Sequence, residues 1–268
     1  WILYSNANDS PRELSATQLN SLTILFLAMS QTNVFLLPEL ITNPAVIRNS
    51  CCVVIDVLRA TTTMVHALGN GASSITPALT VDEARQHARV QGGLLGGERD
   101  CVRLEGFDLG NSPIEYSAEK VAGKSITMTT TNGTKAMMAC LEADRILIAA
   151  FANLDAVASA IADQRRVNII CAGTNGQVTL EDTLMAGALA SGRGYSDCND
   201  QTLLAIDSWK DCQRSPNKQS GIVEKLMQSK GGKNLQQVGM VSDIKLCAKL
   251  NTYSVLPTLS PQTKTIQL

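Results

Sequence analysis

The stretch "VVIDVLRATTT", residues 53–63, runs an apolar, β-branched segment into an aspartate, an arginine and three threonines. Its apolar half extends back to Cys51 and is long enough for a buried strand. Beyond it, "TTTMVHALGNGA" sets Met64, Val65 and Leu68 at helical spacing and closes on Gly69 and Gly71. The unit is strand, polar turn, helix. Two further stretches share the design: "KSITMTTTNG" (124–133) leads into "TKAMMACLEA" (134–143), and "VNIICAGTNG" (167–176) leads into "LEDTLMAGALAS" (180–191).

Around these units, strands are expected at 33–40, stopped by Pro38, and at 73–79, 94–100 and 145–151. Helices are expected at 80–93 and 154–164; the first has Thr80 as its cap, Glu83 completing a capping box and Gly92 ending it. Residues 106–116 are turn-rich. This alternation predicts an α/β protein whose sheet is covered on both faces. From about residue 192 the chain reads as mainly helical, at 201–212, 221–228 and 235–250. "SKGGKN" (229–234) reads as a break and "YSVLP" (253–257) as a last strand.

The composition narrows the function classes. In 268 residues, 44% are hydrophobic and 18% charged, enough for a large core and too apolar for a disordered chain. A net charge of -1 supplies no basic field for nucleic acid. The eight cysteines form no CxxC pair and sit mostly in apolar segments, which predicts reduced, buried thiols in a cytoplasmic protein. "SLTILFLA" (21–28) is too short to span a bilayer, which takes about 20 apolar residues, so no membrane partner is expected. The chain begins with Trp1, and Met29 opens "MSQTNVFLLPEL". Residues 1–28 are therefore expected to be an upstream extension without a packing role, and 29–268 a single domain.

In an α/β sheet, ligands bind at the carboxyl ends of strands. There the first turn of each helix offers free N–H groups and a partial positive charge. Three such turns, all rich in threonine and glycine, describe an anion pocket, although helix capping alone explains any one of them. No GxxxxGK[ST] or GxGxxG is present, so a nucleotide site is poorly supported. Asp56, Glu98, Asp108, Glu181 and Asp182 are candidate acids near that pocket, and suggest a hard divalent cation such as Mg2+. Arg59, Arg99 and Arg103 are candidate anion ligands. Cys171 stands at a strand end, but position 177 is Gln where a cysteine phosphatase needs arginine. Position 58 is Leu where a haloacid-dehalogenase phosphatase needs a second aspartate. His66 and His87 read as helix-face residues.

Taken in order, "VVIDVLRATTT", "GGER", "GFDLGNSP", "TTTNGT" and "CAGTNG…LED" resemble the 2-phosphosulfolactate phosphatase (ComB) family. The resemblance runs from about Val34 to Pro257 and weakens in the last third, apart from "SDIKLCAKLN" and "VLP". It implies a three-layer α/β/α sandwich and a Mg2+-dependent phosphoric monoester hydrolase. The implied reaction converts (2R)-2-phospho-3-sulfolactate to 3-sulfolactate and phosphate, a step that in methanogens serves coenzyme M biosynthesis. For such a reaction, Asp56, Arg59, Glu98 and Arg99 are the expected catalytic residues. Asp56, Glu181 and Asp182 would hold Mg2+. Thr61, Thr62, Thr63, Asn111, Ser112, Thr130, Thr131, Asn132, Gly133, Thr134, Cys171 and Gly173 would bind the small anionic substrate. Two other readings stay open: a phosphatase of a different phosphorylated hydroxy acid, and a non-catalytic anion binder. A homodimer is an expectation resting on the helical C-terminal third.

Overall fold

Gln31–Phe35 (β1) and Cys51–Ile55 (β2) are the first two strands of a ten-stranded sheet. The others are Ser74–Ala78 (β3), Leu94–Arg99 (β4), Val102–Arg103 (β5), Ser125–Thr129 (β6), Arg145–Ala149 (β7), Arg166–Cys171 (β8), Thr258–Leu259 (β9) and Ile266–Gln267 (β10). These come from a computed structural model that describes residues 30–193 and 197–268; the expected extension at 1–28 lies outside the described residues. The strand order is β1-β8-β2-β7-β9-β10-β3-β6-β4-β5. β1, β8, β2 and β7 are parallel, with Val53 beside both Leu147 and Ile169. β3, β6 and β4 are also parallel. The short β9/β10 ribbon joins β7 to β3 through three antiparallel contacts, so the two parallel halves run in opposite senses. Strand twist accumulates across so wide a sheet, and the carboxyl ends of β2, β4, β6 and β8 still border one cleft.

Alternation along β2 builds the layers. Val53 and Ile55 point into one core with Leu184, Ala205, Ile222, Leu235 and Ile244. Cys52 and Val54 point into the other with Met64, Leu68, Val121 and Met137. The first core packs under the helices Leu154–Ile161 (α5), Leu180–Ser191 (α6), Asp200–Cys212 (α7), Lys218–Gln228 (α8), Lys230–Gln237 (α9) and Val241–Cys247 (α10). The second packs under Ala60–Gly69 (α1), Ala118–Val121 (α3) and Gly133–Met138 (α4). Val81–Gln91 (α2) covers a smaller cluster through Ala84. The protein is thus an α/β sandwich of three layers. None of its eight cysteines is in a disulfide, and six are buried. Among the described residues no helix is long and apolar enough to cross a membrane.

The local signals behave as their physics requires at α2: the Thr80 hydroxyl accepts from Glu83 N at 3.1 Å, and Gly92 ends the helix at φ 72°. Two expectations need correction. "SKGGKN" is not a break but the first part of α9, with Ser229 capping Gly232 N at 3.0 Å. Its glycines serve close packing: a Cβ at Gly232 would collide with Leu226 O, and one at Gly231 with the Glu181 carboxylate. "YSVLP" is not a strand either. Its backbone reaches single partners, as in Tyr253 N to Ala152 O, and the ladder begins only at Thr258.

Candidate active site

Asp56 directly follows β2 and is buried. Its Oδ1 accepts from Ala60 N at 3.2 Å, at the start of α1. The three threonines behind it brace this turn. Asp56 N donates to Thr61 Oγ1 at 2.9 Å, and that hydroxyl donates to Asp56 O. Thr62 Oγ1 donates to Val57 O at 2.8 Å and Thr63 Oγ1 to Asn111 O at 2.9 Å. All three side chains are fully buried, so their hydroxyls satisfy backbone carbonyls instead of facing the cleft.

The β6 turn meets Asp56 directly. A Cβ at Gly133 would lie 2.8 Å from Asp56 Oδ2 and 2.7 Å from Ala60 Cβ, so only glycine lets the two turns touch. Thr130, Thr131 and Asn132 line the cleft, while Thr134 is buried beneath, within 3.3 Å of Thr130 Oγ1. Asn132 Oδ1 accepts from Asn175 N at 3.1 Å and ties in the β8 turn. Asp182 fastens the same turn from below. Its Oδ1 accepts from Val57 N at 2.8 Å and its Oδ2 from Gly173 N at 2.9 Å. Cys171 lies under this layer, and burial pushes its thiol well above the ordinary range, so it is no thiolate nucleophile.

From β4, Glu98 enters the cleft. Its Oε2 accepts from Cys101 N at 2.9 Å; Oε1 has only long contacts, 3.4 Å to Thr131 N and 3.3 Å to Thr131 Oγ1. Arg99 turns away: it donates to Glu98 O at 2.6 Å and Thr129 Oγ1 at 3.2 Å, and it is not a cleft-wall residue. Arg103 is half-exposed beside Glu115, and Asp108 accepts from Leu95 N, both outside the cleft. Arg59 is a wall residue, but its Nη1 already pairs with Asp243 Oδ2 at 2.6 Å. Ser112 Oγ donates to the other oxygen of Asp243 at 2.8 Å and is likewise engaged.

The structure therefore brings Asp56, Arg59, Glu98, Asn111, Thr130, Thr131 and Asn132 to one open cleft. It places Thr61–Thr63, Ser112, Gly133, Thr134, Cys171, Gly173 and Asp182 in the supporting shell. The sequence reading missed Leu58, Asp100, Cys101, Thr174, Asn175, Gly231 and Asn234, which complete the wall. Of these, Leu58, Thr174 and Asn175 lie within the strand-end motifs singled out as candidate sites.

The charge balance is acidic. Burial, with Glu98 and Glu181 nearby, raises the Asp56 carboxyl to about 7 against the pull of Ala60 N–H and Arg59. Burial and the Asp56 and Glu181 charges likewise push Asp182 well up, and burial raises Glu181. Among the described residues no three His, Cys, Asp or Glu side chains converge as a ready-made metal cluster. The donors left for a hard cation are nonetheless oxygens: Glu98 Oε1, Asp56 Oδ2, and Asn111 Oδ1 and Glu181 Oε2, both buried without a partner among the described residues. That set suits Mg2+, which is commonly held by one or two carboxylates and completes its shell with water and phosphate oxygens. Asp182 does not suit it, because both its oxygens are committed to backbone amides.

A family model described as 2-phosphosulpholactate phosphatase matches residues 35–262. Similar curated proteins named "Probable 2-phosphosulfolactate phosphatase" occur in several bacteria. The one from Thermotoga petrophila is 39% identical over 207 residues, covering 77% of this chain and 88% of the relative. That from Symbiobacterium thermophilum is 41% identical over 216 residues, with 78% and 90% covered. That from Gloeobacter violaceus is 37% identical over 236 residues, with 85% and 94% covered.

Proposed function

The chain belongs to the 2-phosphosulpholactate phosphatase family, a family of phosphoric monoester hydrolases, and on that premise we propose what its cleft does. It hydrolyses the phosphate ester of (2R)-2-phospho-3-sulfolactate, with Mg2+, and releases 3-sulfolactate and phosphate. A cytoplasmic site and a place in coenzyme M biosynthesis belong to the same proposal. The observation that carries it is Asp56: a buried carboxyl at a strand end, its Oδ2 against Gly133, in a cleft shared with Glu98 and Arg59.

Asp56 Oδ2 and Asn111 Oδ1 would hold Mg2+. When bound, Mg2+ supplies neutralisation of charge on the phosphoryl oxygens. Arg59 would orient the phosphoryl group. Glu98, whose Oε1 has only weak contacts, orients the attacking water and takes its proton. Glu181 and Asp182 act from behind the wall, Asp182 by holding the β2 and β8 turns in register. Asp56→Asn should lower kcat about a hundredfold or more while leaving the circular dichroism spectrum and melting temperature near those of the wild type. Near-normal turnover of that variant at saturating Mg2+ would remove Asp56 from this role.

A second reading rests on Asp56 Oδ2 having no hydrogen-bond donor among the described residues. It could attack phosphorus itself, with the ester oxygen leaving and water later cleaving the acyl phosphate. Rapid quench decides: a hydroxylamine-sensitive phosphoenzyme supports this route, and its absence supports direct attack by water.

A further inference from the structure

Arg59 is the one cationic side chain on the cleft wall among the described residues, and it faces Asp56, Glu98 and Asp100. How its guanidinium is held matters more than its charge alone. Nη1 donates to Asp243 Oδ2 at 2.6 Å and to Met240 Sδ at 2.8 Å, and Nη2 to Cys101 O at 3.0 Å. A guanidinium has five N–H donors. Nε–H and the second Nη2–H of Arg59 therefore have no acceptor among the described residues. Nε and Nη2 share one edge of the guanidinium, the fork that can bind two phosphate oxygens at once.

A buried arginine with a structural task looks different in this molecule. Arg193 spends Nε on Thr32 Oγ1, Nη1 on Ile161 O and Ala162 O, and Nη2 on Gln164 O, and is not a wall residue of this cleft. Arg59 keeps an edge free and does border one. Asp243 itself is buried and cannot swing, because Ser112 Oγ holds its second oxygen at 2.8 Å. Ser112 lies in the turn-rich segment and Asp243 on α10, so two distant pieces of chain converge to fix one guanidinium.

We propose that Asp243, seated by Ser112, is the positioning residue that sets Arg59 so that its Nε–Nη2 edge meets the phosphoryl oxygens. This rests on the phosphatase reading above, and it assigns Ser112 a role behind the substrate and not against it. The ion pair fixes orientation, and it offsets the cost of keeping a guanidinium desolvated before substrate arrives.

The test is a cycle of Asp243→Asn, Arg59→Ala and the double variant. Affinity for inorganic phosphate at saturating Mg2+ and kcat and KM on 2-phospho-3-sulfolactate are read in parallel. Asp243→Asn should weaken phosphate binding about tenfold and lower kcat/KM about thirtyfold or more. In the Arg59→Ala background it should change neither by more than about twofold, because its effect runs through the guanidinium. Equal losses in both backgrounds would overturn the proposal. Ser112→Ala, which keeps the charge pair, should move the same quantities in the same direction by less, and covers the case in which Asp243→Asn does not fold; no change in either quantity would overturn the proposal. Guanidinium ion added to Arg59→Ala should restore phosphate binding only when Asp243 is present; equal rescue of the double variant would also overturn it. A wild-type protein that binds phosphate but turns over no ester would sink the activity alone, leaving the phosphate affinities to decide. A wild-type protein that does not bind phosphate would overturn both.

Discussion

Buried at the end of β2 and facing Glu98 and Glu181, Asp56 keeps its proton up to a pH of about 7. A cation that binds its carboxylate must displace that proton. Since the raised pKa means that acid protonates the ligand, Mg2+ affinity of the substrate-free protein should fall about tenfold per pH unit below about 7 and level off above it. Calorimetry in buffers of different ionisation enthalpy reads the released proton; an affinity flat between pH 5.5 and 8 would contradict this ligand assignment. At this scale Asp56 and Arg59 were legible in the sequence, because an acid and a base directly after an apolar strand have few other reasons to be there. Thr61–Thr63 were legible only as polar. A threonine hydroxyl can face a ligand or close back on its own turn, and one-dimensional spacing does not separate the two. Asp243 lies in "SDIKLCAKLN", which carried the resemblance but pointed to no role, because its partner lies 184 residues away.

Helix α9 shows where element-level reading failed. Two adjacent glycines signal a turn when their freedom of φ is what the chain uses. Here Gly231 and Gly232 supply the absence of a side chain, so that α9 can press against α8 and the Glu181 carboxylate. Gly232→Ala gains helix propensity of about 1 kcal/mol. It also forces a methyl onto the Leu226 carbonyl, a backbone atom that cannot step aside. Overpacking of this kind costs about 1–3 kcal/mol, so the variant should be no better than neutral and is expected to melt earlier. A denaturation midpoint above that of the wild type would contradict the close-packing account. The strand–turn–helix units at β2, β6 and β8 were readable because each is a mostly buried strand of five or six residues that runs into a polar turn. The β9/β10 ribbon was not, since two-residue strands carry no period.

Over the whole molecule, the alternation of strands and helices foretold a covered α/β sheet, and the three-layer sandwich agrees. It did not foretell that the two parallel halves oppose each other, because that follows from a ribbon at the end of the chain inserted between β7 and β3. Nor could it show that the helical C-terminal third completes the cleft through Gly231 and Asn234 and grips Arg59 through Asp243. The anion pocket is thus assembled from four strand ends and two late helices, which places an acidic floor beneath a site proposed for a polyanion. On the function proposed above, a cation joins the substrate there and offsets that charge. The most direct test is phosphate release from a panel of phosphorylated three-carbon acids, with Mg2+ and after chelation. The account predicts Mg2+-dependent release that is fastest from 2-phospho-3-sulfolactate; equal release without the cation, a clear preference for another ester, or no release at all would contradict it.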